Sequence, residues 1–234
     1  MNIILFEEAP SFLSLDDERA RHILTVLHLK EGDTFKGGIL SGKELLVRVD
    51  AIEKEGIRLS YVEKEDSSAL FPLSMILAEV RPICMKRILR EVTSLGVGKL
   101  HLVISELGEK SYMDAGLYNS GEWRKIVIDG AMQSGRTGIP EVHIHEKLDE
   151  LLPEIKGGSK FLFDNVLESS RISDVEVDGE CTFAIGPERG WSNRERQLFL
   201  SNGFTPISLG SRILRTETAS VAATSALLMK MDLI

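Results

Sequence analysis

Two glycine-bearing turns hold the residues best suited to chemistry. The first, GPERGW at residues 186–191, joins an apolar run, CTFAI, to a charged helical pattern, SNRERQLFL. The second, LGSRILRTETAS at residues 209–220, includes the end of another apolar run, PISL. Gly186 and Gly190 let backbone approach a flat ligand closely, and Pro187 stiffens the turn between them. Glu188 offers a carboxylate, and the second turn offers Arg212, Arg215 and Glu217. A simple chain reversal needs none of these charges, so their place beside buried strands reads as a ligand site. A third stretch, QSGR ending at Arg136, closes a helical pattern. Its arginine has two readings: a favourable partner of the helix dipole, or a phosphate ligand pointing into a cleft.

Other candidates read as structure. Gly37 to Glu44 (GGILSGKE) approaches the phosphate-cradling P-loop, but Glu44 stands where the magnesium-binding Ser or Thr belongs, and the stretch lies between two strands. A hairpin turn is expected there. Gly96-Val-Gly98 follows a helix and precedes a strand, the wrong order for a dinucleotide turn. The five histidines (22, 28, 101, 143 and 145) are scattered, and His143 and His145 alternate as on an exposed strand. Cys84 and Cys181 have no metal-ligand spacing, which argues against a zinc site or a disulfide scaffold. No metal is expected.

The elements that must position the turns follow from periodicity. NIILF at 2–6 reads as a strand and residues 16–29 as a helix with Ile23, Leu24 and Leu27 on its apolar side. Period-two alternation in ELLVRVDAI and IRLSYVE predicts strands with one buried face. A polar linker is expected over 63–72. From residue 73 strands and helices alternate: LSMILAEV, a helix over 83–95, KLHLVIS, a helix over about 120–134, KFLFD, CTFAI, a helix over 193–201, PISL and a helix over 216–232. Ser192 and Glu195 form a capping-box pattern at the start of the helix after GPERGW. Strands without polar alternation are buried on both faces, so the repeat predicts an α/β fold with a mostly parallel sheet. In such sheets ligands bind beyond the carboxyl ends of the strands, where both glycine turns fall.

The chain has 234 residues, 43% hydrophobic and 27% charged, enough for one large domain or two modest ones. Its formal charge of −8 disfavours a non-specific nucleic-acid binder. A local basic face remains open, because salt screens beyond about 8–10 Å. The runs Arg19, Arg21, His22, His28, Lys30 and Arg81, Lys86, Arg87, Arg90 are candidates for it. MNIILFEEAPS lacks the form of a signal peptide and no apolar run nears 18 residues, so a cytoplasmic protein is expected.

IGPERGWSNRE followed by LGSRILRTETA resembles the paired C-terminal motifs of the RsmE family, S-adenosylmethionine-dependent methyltransferases acting on N3 of a uridine in 16S ribosomal RNA. HILTVLHLKEGD, TSLGVGKL and AMQSGRTGIPEV are similar to further family segments, so the resemblance spans the chain. It implies a PUA-like β-barrel RNA-binding domain over 1–70 and a SPOUT methyltransferase domain over 71–234, with a trefoil knot and a homodimer. Adenosylmethionine is then expected against Leu162, Phe163, Gly186, Pro187, Glu188, Gly190, Leu209, Gly210, Arg212, Ile213, Leu214 and Thr218. Arg136, Arg215 and Glu217 are expected at the reaction, with Arg136, Arg212 and Arg215 holding phosphate or the uridine anion. Glu217 would orient one of them or act as base. Arg21, His22, His28, Lys30 and Arg48 are the expected RNA contacts, with the assembled small subunit as partner.

Three positions depart from the family pattern: Arg189 stands for a glycine, Ser94 for a glutamate and His28 for an arginine. If position 189 needs positive φ, arginine there costs about 1–2 kcal/mol. Two other readings stay open: a SPOUT enzyme acting on a ribose 2′-hydroxyl or a transfer RNA base, and a catalytically silent RNA-binding assembly factor.

Overall fold

The computed structural model describes residues 2–66, 69–112, 117 and 120–234. They form two compact units, Met1–Ala69 with Ala131–Ile139, and Leu70–Gly130 with Pro140–Ile234.

The first unit holds a five-stranded sheet in the order β1-β3-β4-β5-β2. Its strands are β1 (Ile4–Phe6), β2 (Phe12–Ser14), β3 (Thr34–Ile39), β4 (Lys43–Ile52) and β5 (Gly56–Asp66). β1 runs parallel to β3 and the other pairs are antiparallel. The alternating apolar residues do what their spacing dictates: Leu45, Val47, Val49, Ile57 and Leu59 join Phe6, Leu13 and Ile23 in one core. Tyr61, on the same alternation, is exposed. The Gly37–Glu44 stretch spans the β3–β4 hairpin.

Helix α1 (Glu18–Thr25) is shorter than its sequence pattern. Asp17 caps it by accepting from Arg19 N at 2.8 Å, which fixes its start. At the other end His28 takes φ 53, a left-handed conformation no helix continues through. Residues 131–139, which the sequence reading gave to the second domain, bond within the first unit. Ser41 N donates to Thr137 O at 2.8 Å, Thr137 Oγ1 to Gly42 O at 2.6 Å, and Lys36 Nζ to Gly135 O at 2.8 Å.

The second unit is α/β, with a seven-stranded sheet in which every pairing is parallel. Its strands are β6 (Phe71–Ala78), β7 (Val97–Val103), β8 (Glu141–His145), β9 (Ser159–Phe163), β10 (Ser170–Arg171), β11 (Cys181–Ile185) and β12 (Thr205–Ser208). The order is β10-β12-β9-β11-β6-β7-β8. The expected linker over 63–72 is shorter, because β5 runs to Asp66 and β6 begins at Phe71. Pro72, which cannot donate to a ladder, falls in a register shift between Phe71 and Ser74.

Helices α2 (Pro82–Ser94), α3 (Glu122–Ser134), α4 (Leu148–Leu151), α5 (Asn193–Ser201) and α6 (Thr216–Lys230) accompany the sheet. The Ser192–Glu195 capping box is present. Trp191, Phe199 and Phe204 pack with Ile76, Leu162 and Ala184 in one core on the α4 and α5 side. Among the described residues, no helix is long and apolar enough to cross a membrane.

Candidate functional site

The sheet order brings the ends of β12, β9, β11 and β6 side by side. Phe163 is level with Ile185 and with Ile207, and Ile185 with Leu77. The loops leaving these strands therefore converge, and they enclose a cavity of about 1100 Å³. Its walls are the segment after β9 (Phe163–Leu167 with Ser169), the turn Gly186–Trp191, and Ile207–Glu217 leading into α6; Arg81 and Cys84 enter from α2.

The first glycine turn is shaped by contact. A Cβ on Gly186 would sit 3.1 Å from Trp191 Nε1, so glycine lets the indole close against the backbone. Trp191 is 1% exposed. Its buried N–H has no partner among the described residues. Gly190 takes φ 70, and its N–H donates to Pro187 O at 2.8 Å. Positive φ thus falls on Gly190. Among the described residues the non-glycines with positive φ are His28, Ser41 and Asp232, so Arg189 carries no such strain.

The second turn is open. Gly210, Ser211, Arg212, Ile213 and Arg215 are exposed, and Ile213 is 82% exposed. It joins the first turn where Thr216 Oγ1 donates to Gly186 O at 3.3 Å. Glu217, in the first turn of α6, is held below the usual carboxylate range. The Cys84 thiol donating to it contributes most, then a backbone N–H and the charges of Arg215 and Arg87, against the effect of burial. Burial, Glu217 and Glu188 push the Cys84 thiol up to about 11. Arg81 is held more firmly protonated, by Tyr112 first and then by Glu188. The cavity therefore pairs carboxylates with arginine cations on glycine-bearing loops.

Phe163, Gly186, Pro187, Glu188, Gly190, Leu209, Gly210, Arg212, Ile213, Leu214, Arg215 and Glu217 all line this cavity. Leu162 instead lies in the core beneath it, and Thr218 is exposed on α6. Arg136 belongs to the first unit, where its Nη1 is 3.8 Å from Glu44 Oε1. Sequence reasoning missed Cys84, Asp164 and Arg196 on the cavity wall and assigned Arg81 to a basic face instead. Asp164 had a signal, as the first polar residue after the apolar run FLF. Arg196 had none.

In the first unit Arg21 and His22 lie on α1, His28 and Lys30 on the segment after it, and Arg48 on β4. Arg21, His28, Lys30 and Arg48 are exposed, whereas the His22 Nε2 is buried. Arg19 is tied to Asp17 at 2.6 Å and lies over the Phe6 ring, which gives it a structural use. On α2, Lys86 pairs with Glu122 at 2.5 Å and Arg90 with Asp129 at 3.9 Å. His143 and His145 are on edge strand β8 facing His101, with His101 Nδ1 and His145 Nε2 3.0 Å apart. Burial first, then its histidine neighbours, pushes His101 down to about 4. Among the described residues, no group of three or more His, Cys, Asp or Glu is placed to hold a metal ion.

Residues 67–228 match the RNA methyltransferase domain family. The chain is 37% identical to the ribosomal RNA small subunit methyltransferase E of Treponema pallidum, over 97% of its own length and 91% of the relative's. It is 35% identical to the methyltransferase E 1 of Borreliella burgdorferi, over 95% of each chain. Its fold is similar to the crystal structure of the Neisseria gonorrhoeae methyltransferase E bound to S-adenosyl methionine, with TM-score 0.80, 27% identity, and 98% and 97% of the two chains covered.

Proposed function

This chain belongs to the ribosomal RNA small subunit methyltransferase E family, and from that premise we propose that it methylates N3 of a specific uridine in 16S ribosomal RNA, forming m3U. It is an S-adenosylmethionine-dependent small-subunit ribosomal RNA methyltransferase. The observation that carries the site assignment is the convergence of the two glycine turns, with Arg212, Arg215 and Glu217, on one cavity beyond the strand ends.

That cavity suits adenosylmethionine. The exposed Ile213 offers an apolar surface for an adenine, and the buried Trp191 N–H has no protein partner among the described residues. When bound, the cofactor supplies a methyl group on a positively charged sulfur. The chain's part is then to fix the acceptor in line with that methyl, which accounts for much of the acceleration in displacement reactions.

The uridine N3–H is weakly acidic and must be lost, so the base must be splayed out of any pairing and its edge read by the pocket. Arg215 stabilises the negative charge spread over the uracil carbonyl oxygens as the N3 proton passes to solvent water, and Arg136 holds RNA phosphate. Glu217, held as a carboxylate of low basicity by Cys84 and the cations around it, is poorly suited to take the N3 proton. It orients Arg215.

The finer architecture belongs to the same proposal: a PUA-like barrel built on 1–70, with 131–139 added to it, that grips RNA through Arg21, His28, Lys30 and Arg48, a SPOUT domain with a trefoil knot built on the rest of 71–234, a homodimer, and action in the cytoplasm on the assembled small subunit. The test is methylation of isolated small subunits from a strain lacking the enzyme, followed by nucleoside mapping. One m3U per subunit is expected. A ribose 2′-O-methyl product, or no transfer with adenosylmethionine bound, overturns the reading.

A further inference from the structure

Two buried charges on the cavity wall are not used by the mechanism above. Asp164 directly follows β9 with a side chain 2% exposed, and Arg196 on α5 reaches it with a side chain 9% exposed. Every strong acceptor of the carboxylate is engaged. Oδ1 accepts from Val166 N at 2.7 Å and Leu167 N at 3.0 Å, which turns the chain out of the strand. Oδ2 accepts from Arg196 Nε at 2.9 Å. Arg196 Nη1 also donates to Asn193 Oδ1 at 3.1 Å, and its Nη2 lies so near the first glycine turn that a Cβ on Gly190 would be 3.4 Å away. One guanidinium therefore spans from the helix that follows GPERGW to the residue that launches the loop after β9.

A buried ion pair is a poor source of stability, because removing both charges from water offsets most of their attraction. Apolar residues of similar size would hold a core as well. What they would not supply is directional bonding between the loop after β9 and the start of the helix that follows the Gly186–Trp191 turn. We propose that Asp164 and Arg196 are positioning residues for the cofactor: the pair ties the loop after β9 to the start of α5, directly after the Gly186–Trp191 turn, so that loop and turn meet adenosylmethionine in one arrangement. The inference rests on the cavity being the cofactor site.

Arg196→Met alone would leave Asp164 buried and unpaired, a change large enough to unfold the protein. The test is therefore the uncharged double variant Asp164→Asn/Arg196→Met, in which the Asn oxygen still accepts from Val166 and Leu167 while the bridge is gone. Asp164→Asn/Arg196→Gln serves as the rescue, because its two amides can restore a hydrogen bond. With folding verified by circular dichroism, the first variant should raise the KM and the calorimetric Kd for adenosylmethionine about tenfold. Turnover at saturating cofactor and the KM for small subunits should stay within about twofold of wild type. The Gln variant should recover part of the affinity. Unchanged cofactor affinity in the folded Met variant, or a fall in turnover with KM unchanged, overturns the proposal. Leu209→Trp, which places bulk in the cavity, separates this failure from that of the site itself. If Leu209→Trp binds cofactor as wild type does, the cavity assignment fails. If it blocks binding while the Met variant binds normally, only the positioning role fails.

Discussion

The turn Gly186–Trp191 and the turn Leu209–Arg215 face one cavity but are built by opposite means. The first is closed by its own backbone hydrogen bond, anchored by a Trp191 that packs edge-on against Phe199 at 4.9 Å, and followed at once by the Ser192–Glu195 capping box. Glu195 extends the anchoring by accepting from Glu106 N at 2.9 Å. The second turn exposes its apolar and charged side chains and enters α6 through Arg215, an N-cap residue without a side-chain cap bond. The first wall holds its shape through Trp191 and the residues that follow it, leaving Glu188 and Arg189 exposed, whereas the second keeps most of its side chains available to a ligand. Damage to the first should therefore appear as lost stability, and damage to the second as lost binding or turnover.

Trp191→Ala should break the comparison most severely. Removing a fully buried Trp costs about 3–5 kcal/mol, read as a shift in the denaturant midpoint; a change under about 1 kcal/mol would mean the first wall is not an anchor. Arg215→Ala should leave the melting temperature unaltered while methyl transfer falls about 10²–10³-fold, as for loss of one donor to a developing anion. Retained turnover would remove Arg215 from the reaction. Ile213→Ser should weaken cofactor binding about tenfold, because the exposed side chain gains its burial only with ligand present. Its effect on stability should stay within about 0.5 kcal/mol.

The smallest effect concerns the end of the second wall and its pH dependence. Glu217 has a folded pKa below its ordinary 4.5, so the stability it contributes is complete above that value and is lost as pH falls through the folded pKa. Cys84→Ala removes the largest cause of the depression. The acid limb below pH 4.5 should then flatten, and the Glu217 carboxyl resonance should titrate at higher pH than in wild type. An unmoved resonance would show that the thiol does not hold the carboxylate.

Much of this arrangement was legible because it is written in short-range patterns. CTFAI and FLF lack the polar alternation of a strand with one wet face and became central parallel strands, and Ser192 with Glu195 declared a helix start. What was not legible depends on pairings remote in sequence. Asp164 and Arg196 are 32 residues apart and form a bridge that no periodicity marks. Residues 131–139 comprise the end of α3 and the segment after it, yet Thr137 bonds to Ser41 and Gly42 across about 95 residues of chain. α1 ends at Thr25 with its cap at Val26, and the left-handed His28 two residues on keeps the helix from resuming; its type permits that conformation without requiring it.

Hydrogen–deuterium exchange with and without adenosylmethionine tests the central claim most directly, because it locates the cofactor and ranks the two walls at once. Protection should rise most in residues 207–217, with a smaller change in 186–191, where backbone and capping hydrogen bonds exist before ligand arrives. Cofactor binding that leaves 207–217 unprotected, or that protects another surface instead, would contradict the account.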